Sequence, residues 1–284
     1  MILVDMNQIS VASVMMHLHL TKAPKVDEEM VRHMILNSLR MYREMFFEKY
    51  GELVICYDSK HYWRRDYFPQ YKKNRKKTRD SSGHDWDAIF DCLNRIKEEM
   101  IEFMPYKVLE VYGAEADDII ASLALELEFD NGKTLILSGD KDFIQLKRHL
   151  NVSQYSPITK KFITGHDPDE YLQEHILKGD SSDGVPNVLS PDHTFTDGLR
   201  QKPLTKKKIE SWKGPLVEHS LPNDEIKRNY QRNETLIDLR KSPPEIHLAC
   251  LKAYQEAPEG DRSKLLNYFI EKRLKNLMES IGDF

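Results

Sequence analysis

The sequence has 284 residues, of which 40% are hydrophobic and 31% are charged, and a formal net charge of -4 at pH 7. A chain of this length can bury a full core, in one large domain or in two unequal ones. No apolar run approaches the roughly 18 residues of a membrane-spanning helix, so we expect a soluble protein without membrane association. The 3 cysteines are too few and too scattered for a disulfide framework or a zinc site, which indicates a reducing cytoplasm.

Short apolar runs predict the strands. Polar and apolar residues do not alternate in them. Continuous apolar runs of this kind are typical of strands buried on both faces of a parallel sheet. The predicted strands in chain order are Met1–Met6, Glu52–Tyr57, Tyr106–Val111 and Thr134–Leu137, followed by a small hairpin of Val152–Tyr155 and Lys161–Thr164.

Capping residues and a 3.6-residue period of apolar positions predict the helices. Ser10, Asp27 and Thr205 can each cap the helix that follows, and Gly51 and Pro105 are stop signals. The predicted helices run from Ser10 to about Leu20, from Asp27 to Gly51, and over Asp85–Met104, Ala114–Glu128, Asp167–Leu177 and Thr205–Trp212. Ser190–Leu204 reads as a loop, and the chain from Glu218 onward is helical and polar.

Strands that alternate with helices predict an α/β fold with a mostly parallel central sheet flanked by helices. We expect this domain to span residues 1–165 and a helical C-terminal domain to span residues 166–284. In open α/β sheets, ligands bind beyond the carboxyl ends of the strands. The stretch Lys133–Leu146 has this pattern most clearly, because its apolar strand leads directly into Asp140 and Asp142.

Acidic residues follow the predicted strands, or lie on turns after them. Taken singly, each is more simply a helix cap or a solvated charge. Gathered at one edge of the sheet, they could not all stay ionised without a counterion. Divalent cations prefer oxygen ligands, and a pair of them can promote phosphodiester hydrolysis. The set comprises Asp5, Asp58, Glu115, Asp117, Asp118, Asp140, Asp142, Asp180 and Asp183.

The segment Lys60–Arg79 holds nine Lys or Arg residues against one acid, Asp66, with five aromatic residues between them. Such a run can be a solvated face or a disordered arm. The aromatic residues favour binding of single-stranded nucleic acid, where rings stack on bases and cations neutralise phosphates. Since the segment has little aliphatic surface to bury, we expect it to be mobile until a substrate orders it.

Six segments in this order resemble the 5′-nuclease (flap endonuclease) family. They are LVDMN, CYDS, YWRRDYFPQYKKNRKK, YGAEADD, LSGDKDFIQL and KGDSSDGVPN. The E-A-D-D and G-D-x-D-F motifs are specific at this spacing, and the basic segment is similar in particular to the phage ribonuclease H branch. The motifs run from Asp5 to Asn187, about two-thirds of the chain. The resemblance implies a PIN-like 5′-nuclease core and a duplex-binding C-terminal part with a helix–three-turn–helix-like element.

The resemblance also implies a role for each acid. Two magnesium ions, which manganese can replace, would be the cofactors. The residues that would surround the first ion are Asp5, Asp58, Asp117 and Asp140. Those that would hold the second ion, mostly through water, are Asp142, Asp180 and Asp183. Those that would support or share these ligands are Glu115 and Asp118. Lys72 would neutralise the charge that develops on the phosphate.

For nucleic acid, the resemblance implies a helical arch over a 5′ single strand, formed by the basic segment, in which Tyr71 could stack on a base. The cations of this arch would be Arg64, Arg65, Lys72, Lys73 and Arg75. KGDSSDGVPN resembles the start of a turn that grips the duplex, but a loop up to Leu204 follows it here. The monovalent-ion site of that turn is therefore not carried over to this chain. The basic helix that follows the turn in the family would return at Lys206, Lys207 and Lys208.

The expected activity is a magnesium-dependent 5′→3′ exonuclease and flap endonuclease on RNA–DNA and DNA duplexes with 5′ ends or flaps. RNA primer removal during phage replication, in the host cytoplasm, is the expected task of a monomer. A replication clamp or a single-stranded DNA-binding protein would be a recruiting partner. The closing Ser280–Phe284 predicts a frayed tail, or alternatively a clamp-binding peptide.

Two other functions stay open at this point. GDSSD and the acid at the end of the first strand are similar to motifs of haloacid-dehalogenase-like phosphatases. Those enzymes need a nucleophilic Asp and a second Asp two residues later. This chain has Asp5 followed by Asn7, and that reading leaves the basic segment without a role. The other alternative is an inactive structure-specific DNA-binding scaffold. It gives no reason for the chain to keep every acid.

Overall fold

The computed structural model describes residues 1–22, 25–126, 132–258 and 260–284. Its centre is a six-stranded sheet of order β3-β2-β1-β4-β5-β6. The first five strands are parallel, and β6 is antiparallel to β5. The strands are β1 (Ile2–Asp5), β2 (Leu53–Tyr57), β3 (Lys107–Glu110), β4 (Thr134–Leu137), β5 (Val152–Ser156) and β6 (Lys161–Phe162). All six predicted strands are confirmed, and so is the mostly parallel sheet.

Helices cover the sheet and form most of the C-terminal part. The α-helices are α1 (Met6–Thr21), α2 (Glu28–Tyr50), α3 (Trp63–Tyr67), α4 (Lys73–Asp80), α5 (Trp86–Phe103), α6 (Ala116–Glu126), α7 (Pro168–Lys178), α8 (Lys206–Trp212), α9 (Val217–Ser220), α10 (Asp224–Ile237), α11 (Pro244–Glu256), α12 (Leu265–Glu271) and α13 (Lys275–Met278). Short 3-10 helices span Lys141–Arg148, Leu239–Lys241, Arg262–Lys264 and Ile281–Asp283. None of the described helices is long and apolar enough to cross a membrane.

The predicted start of the first helix was wrong. The helix begins at Met6, directly after β1, because the Asp5 carboxylate accepts a hydrogen bond from the main-chain amide of Gln8 at 3.1 Å. Ser10, the predicted cap, lies buried inside α1. The caps at Asp27 and Thr205 are confirmed. The last two residues of the predicted helix 114–128 lie outside the described residues.

Two apolar clusters cover the opposite faces of the sheet. Ile2 and Val4 belong to one and Leu3 to the other, because successive side chains of a strand point to opposite faces. The first cluster includes residues of α1, α2, α5 and α12, and the second includes residues of α6 and α11. Helices near the end of the chain thus share both cores with the sheet. The boundary at residue 165 stays a prediction.

The last residue of the sequence, Phe284, is completely buried. Its ring packs edge-on against Phe269, with the ring centroids 5.1 Å apart. Its main-chain oxygen accepts a hydrogen bond from Arg262 at 2.6 Å. This buried ring contradicts the prediction of a frayed tail. Binding of Ser280–Phe284 to a clamp stays a prediction.

Phe284→Ala should lower the free energy of unfolding by about 3–5 kcal/mol, because it removes a large buried ring and leaves a cavity. Phe47→Ala is the matched control, since the Phe47 ring is 42% exposed, and it should cost less than about 1 kcal/mol. Urea unfolding of both variants measures the difference. Equal losses would show that the end of the chain is not part of the core.

Candidate active site

Three acids come from the carboxyl ends of neighbouring strands. Asp58 follows β2, Asp5 ends β1 and Asp140 follows β4, and these strands are adjacent and parallel. Their carboxyl ends therefore meet at one edge, where the strand order reverses between β1 and β4. This is the position at which α/β sheets bind their ligands. The loop after β4 adds a further link, because the Ser138 hydroxyl donates to the Asp5 carboxylate at 2.8 Å.

Two of these acids also stabilise the starts of helices. A role as a helix cap and a role as a metal ligand are therefore compatible. Asp58 accepts a hydrogen bond from the main-chain amide of Ala116, the first residue of α6, at 2.7 Å. Asp140 accepts one from the amide of Asp142 at 3.0 Å, at the start of the 3-10 helix. In the described part of the chain, Asp58 and Asp140 each keep one carboxylate oxygen free of hydrogen bonds.

Burial and mutual repulsion disfavour the ionised forms of these acids. Burial raises the pKa of Asp5 to about 6, and the negative charge of Asp58 adds to the effect. Burial and the negative charge of Asp142 raise the pKa of Asp140 to about 7. Burial and the charge of Asp140 raise the pKa of Asp117, on the first turn of α6, well above its ordinary value. A divalent cation would remove this cost, and carboxylate oxygens suit it.

Glu115 and Asp118 are in a different electrostatic situation, because the buried guanidinium of Arg64 lies between them. Its Nη1 lies 3.0 Å from Glu115 and 2.8 Å from Asp118. Asp118 also accepts hydrogen bonds from Trp63 and Ser242. Burial alone would raise the pKa of Asp118, but Arg64 outweighs it and holds that pKa below its ordinary value. This arrangement suits the predicted supporting role of Asp118, and its sharing of a metal ion stays a prediction.

Asp183 is compensated in the same way, by cations of the basic segment. Its carboxylate forms ion pairs with Arg75 and, at 3.6 Å, with Lys72, and accepts a hydrogen bond from the Tyr71 hydroxyl at 2.8 Å. Lys72 also contacts Glu115, with Nζ 2.5 Å from the carboxylate. Burial would raise the pKa of Asp183, but the two cations keep it below its ordinary value. Its predicted role as a ligand of the second ion, mostly through water, stays a prediction.

The basic segment is helical, and its mobility without substrate stays a prediction. It forms α3 and α4. The segment buries apolar surface through its aromatic rings: Tyr62, Phe68 and Tyr71 pack into an apolar cluster with residues of α7, α8 and α10. The buried ion pairs of Arg64 attach the segment to α6 as well.

The structure places the predicted nucleic-acid residues in two groups. Arg64 and Tyr71 are 2% and 3% exposed, so neither the guanidinium nor the ring has a free face for a phosphate or a base. Both are internal partners of the acids here, and their contact with nucleic acid stays a prediction. Lys72 is largely buried in its ion pairs. The predicted residues that are exposed are Arg65, Lys73, Arg75, Lys206, Lys207 and Lys208.

A cavity of about 970 Å³ lies between the acid cluster and the basic segment. Asp58 and Lys72 line it, together with Arg75 of α4. Trp86 and Phe90 of α5 also line it, and their rings lie 5.6 Å apart between centroids. The cavity thus joins cations and aromatic rings to the acids, which is the combination that binds a single strand of nucleic acid.

A third group of residues could hold a metal ion, and one member was missed. Ligand atoms of Asp142, His175 and Asp180 all lie within 4.8 Å of one another. The two acids were predicted, but His175, on the last turns of α7, was not. Asp180 follows it by only five residues, but Asp142 comes from the distant loop after β4, so the sequence did not reveal the group. Burial and the negative charges of Asp183 and Asp142 raise the pKa of Asp180.

Comparison with protein families identifies the chain. Residues 1–175 match the model of the 5′-3′ exonuclease N-terminal resolvase-like domain, and residues 168–284 match the model of the T4 RNase H C-terminal domain. The chain belongs to the 5′-3′ exonuclease family. It is 33% identical to ribonuclease H of Enterobacteria phage T4 over 99% of this chain and 95% of that protein. A 5′-3′ exonuclease of Buchnera aphidicola is 34% identical over 57% of this chain and 57% of its own length.

Two solved structures share the fold of this chain. The flap endonuclease D15 of bacteriophage T5, in a complex with DNA and metal ions, matches with a TM-score of 0.63 at 16% identity, over 96% of this chain and 97% of that one. The T5 5′-exonuclease with bound zinc matches with a TM-score of 0.61 at 15% identity, over 90% and 98% of the two chains. The expected mostly parallel sheet with a helical C-terminal part is therefore confirmed.

Arg64→Met should lower the free energy of unfolding by about 3–5 kcal/mol, because it leaves Glu115 and Asp118 buried without their cation. Arg65→Met is the matched control, since Arg65 is the next residue and is exposed, and it should change stability by less than about 0.5 kcal/mol. Thermal and urea unfolding measure both. If Arg64→Met weakened DNA binding and left stability unchanged, Arg64 would be a nucleic-acid contact after all.

Metal binding should release protons between about pH 5 and pH 7. Asp5 and Asp140 have pKa values near 6 and 7 without metal, so they carry protons there that a cation must displace. Apparent Mg²⁺ affinity should rise with pH through this window and level off above about pH 8. Calorimetric titration at pH 6 in two buffers of different ionisation enthalpy measures the release. Identical heats in both buffers would contradict it.

Proposed function

We propose that this protein is a divalent-cation-dependent 5′-3′ exonuclease and flap endonuclease that cleaves RNA–DNA and DNA duplexes with 5′ ends or flaps, and that it removes RNA primers during phage replication. The observation that carries the proposal is the meeting of uncompensated carboxylates with a cation-lined cavity at the reversal point of the sheet. The named activities of the relatives, a ribonuclease H, 5′-3′ exonucleases and flap endonucleases, support the substrate class.

The donor atoms fit two magnesium ions, with manganese as a substitute. Residues that would hold the first ion are Asp5, Asp58, Asp117 and Asp140, which lack cationic partners in the described part of the chain. Residues that would hold the second are Asp142 and Asp180. When bound, such ions supply an activated water and stabilise the leaving oxygen. Glu115 has a supporting role in this scheme, since it fixes Lys72 and Arg64.

Lys72 orients the reacting phosphate. Its ammonium group is held between Glu115 and Asp183, 2.5 Å and 3.6 Å away, and it lines the cavity beside Asp58. Its backbone is fixed too, because its amide donates to the Asp183 carbonyl at 2.7 Å. A preorganised cation at this place neutralises charge that develops on a phosphate without having to move.

The remaining exposed cations bind the nucleic-acid backbone. Arg75 and Arg79 face the cavity with Trp86 and Phe90, so a 5′ single strand can meet both cations and rings there. Lys206, Lys207 and Lys208 open α8 on the outer surface, where Thr205 caps the helix. They suit phosphates of the duplex, since exposed lysines supply most of the salt-dependent affinity for nucleic acid. Recruitment by a clamp or a single-stranded DNA-binding protein, and a monomeric state, stay predictions.

Asp140→Asn should abolish cleavage while duplex binding changes less than about threefold, because it removes a cation ligand and no phosphate contact. In chelator at pH 8 the variant should also melt higher than the wild type, since it removes one of the repelling charges. Asp197→Asn, an exposed acid in the loop before α8, is the matched control and should leave all three quantities unchanged. Cleavage by Asp140→Asn at the wild-type rate would overturn the site.

The direction of cleavage is tested with primer–template duplexes that carry a label at the 5′ or the 3′ end of the primer. In magnesium, a 5′ label should leave as short products from RNA and DNA primers, while a 3′ label should shorten progressively. A 5′ flap should be cut near its junction with the duplex. Release of the label from the 3′ end first, or hydrolysis of a phosphomonoester without cleavage of the chain, would favour another activity, the latter a phosphatase.

A further inference from the structure

His175 reaches the acid cluster from the last turns of α7 and contacts both acids of the third group. Its Nδ1 lies 3.2 Å from Oδ1 of Asp142, and its Nε2 lies 3.9 Å from Oδ2 of Asp180. The ring is held in place by an edge-on contact with Tyr171, at 5.8 Å between centroids. The ring is therefore fixed on two sides, and its two nitrogens face different carboxylates.

The two nitrogens have different chemical roles in this arrangement. An ionised Asp142 only accepts hydrogen bonds, so Nδ1 carries the proton that it donates. A cation binds only the neutral ring, in which Nε2 has a lone pair, and that lone pair would face an oxygen of Asp180. The 3.9 Å between them is too long for a hydrogen bond. It can be spanned by two ligands that each lie about 2.0–2.2 Å from a shared cation.

The other oxygen of Asp180 has a different task. Oδ1 accepts hydrogen bonds from the amide and the hydroxyl of Ser182, both at 2.7 Å, and so holds the turn after α7. Oδ2, the oxygen nearer to His175, has no hydrogen-bond donor among the described residues. Asp180 is thus oriented by its turn in such a way that its free oxygen points to the imidazole.

We propose that His175 is a nitrogen ligand of the second cation, through Nε2, with Asp142 orienting the ring and Asp180 supplying a carboxylate oxygen. The inference rests on the proposed cation-dependent function and adds to it a choice of metal. An imidazole ligand favours transition ions such as Mn²⁺ over Mg²⁺, which prefers an all-oxygen environment. The second site should therefore select Mn²⁺, while the first site, built from carboxylates alone, should accept either ion.

Pulsed EPR of Mn²⁺ bound to the intact protein tests the ligand directly, without a mutation. Spectra are recorded with one and with two equivalents of Mn²⁺. Modulation from a directly bound ¹⁴N nucleus should appear when the second site is occupied. Protein grown with ¹⁵N-labelled histidine should replace that signal by the ¹⁵N pattern. Bound Mn²⁺ without any histidine nitrogen coupling would overturn the proposal and leave the proposed nuclease function intact.

His175→Gln provides the second measurement, because glutamine can still donate a hydrogen bond to Asp142 but has no imine nitrogen. The variant should lose the ¹⁴N signal and bind the second Mn²⁺ roughly ten- to hundredfold more weakly, while its Mg²⁺ affinity changes less than about threefold. His166→Gln is the matched control, since His166 also contacts the Tyr171 ring but is exposed. It should leave the signal and both affinities unchanged.

The outcomes separate the alternatives. Equal weakening of Mn²⁺ and Mg²⁺ in His175→Gln, with no nitrogen signal in the wild type, would make His175 only a positioning residue for Asp142. Unchanged binding of both ions would make it an internal counter-cation of the acids. Failure of the wild type to bind any Mn²⁺ would overturn the cation-dependent function together with this inference.

Discussion

The buried ion pairs of Arg64 hold the site in its observed form. This guanidinium from α3 lies between Glu115 and Asp118 and also donates to the main-chain oxygen of Leu236 at 3.0 Å. It thereby connects the basic segment, the acidic start of α6 and the end of α10. A buried charge is costly unless it is fully paired, so these three elements are stable only in the arrangement that satisfies it. The position of Lys72, eight residues later, follows from this attachment.

Ion pairing of this kind divides the nine acids of the predicted site into those with a cation of the protein beside them and those without one. Glu115, Asp118 and Asp183 already have cations of the protein beside them. Asp142 and Asp180 lie beside His175. The remaining four acids have no cationic partner in the described part of the chain, and their mutual repulsion destabilises the fold. This repulsion lies at the edge of the sheet where the strand order reverses, and a bound cation would remove it. Such repulsion destabilises the metal-free protein but favours metal binding, because carboxylates that are already neutralised would attract a cation only weakly.

The basic segment serves both stability and substrate binding through different side chains. Its inward residues, Tyr62, Phe68 and Tyr71, add to an apolar cluster beneath it. Its outward residues, Arg65, Lys73 and Arg75, remain exposed. The alternation of aromatic and basic residues therefore does not mean that every ring stacks on a base. Rings for that purpose are offered instead by α5, where Trp86 and Phe90 line the cavity.

The sequence alone was sufficient for the strands, for most helix bounds and for the family. Apolar runs, capping residues and motif spacing are local properties of the chain, and they survive folding unchanged. The acids after the strands could likewise be placed at one edge, since parallel strands bring their carboxyl ends together. The start of the first helix was predicted about four residues too late, at Ser10, because Asp5 both ends β1 and caps α1.

Only the tertiary structure determined which charges are paired. Arg64 and Arg65 are adjacent in sequence and identical in type, yet one is buried in ion pairs and the other is exposed. Likewise, nothing in the spacing of His175 linked it to Asp142, because more than thirty residues separate them. Burial and pairing depend on elements brought together from distant parts of the chain. The sequence therefore specified the kinds of residue at the site, and folding specified which of them remain available to a metal ion or a phosphate.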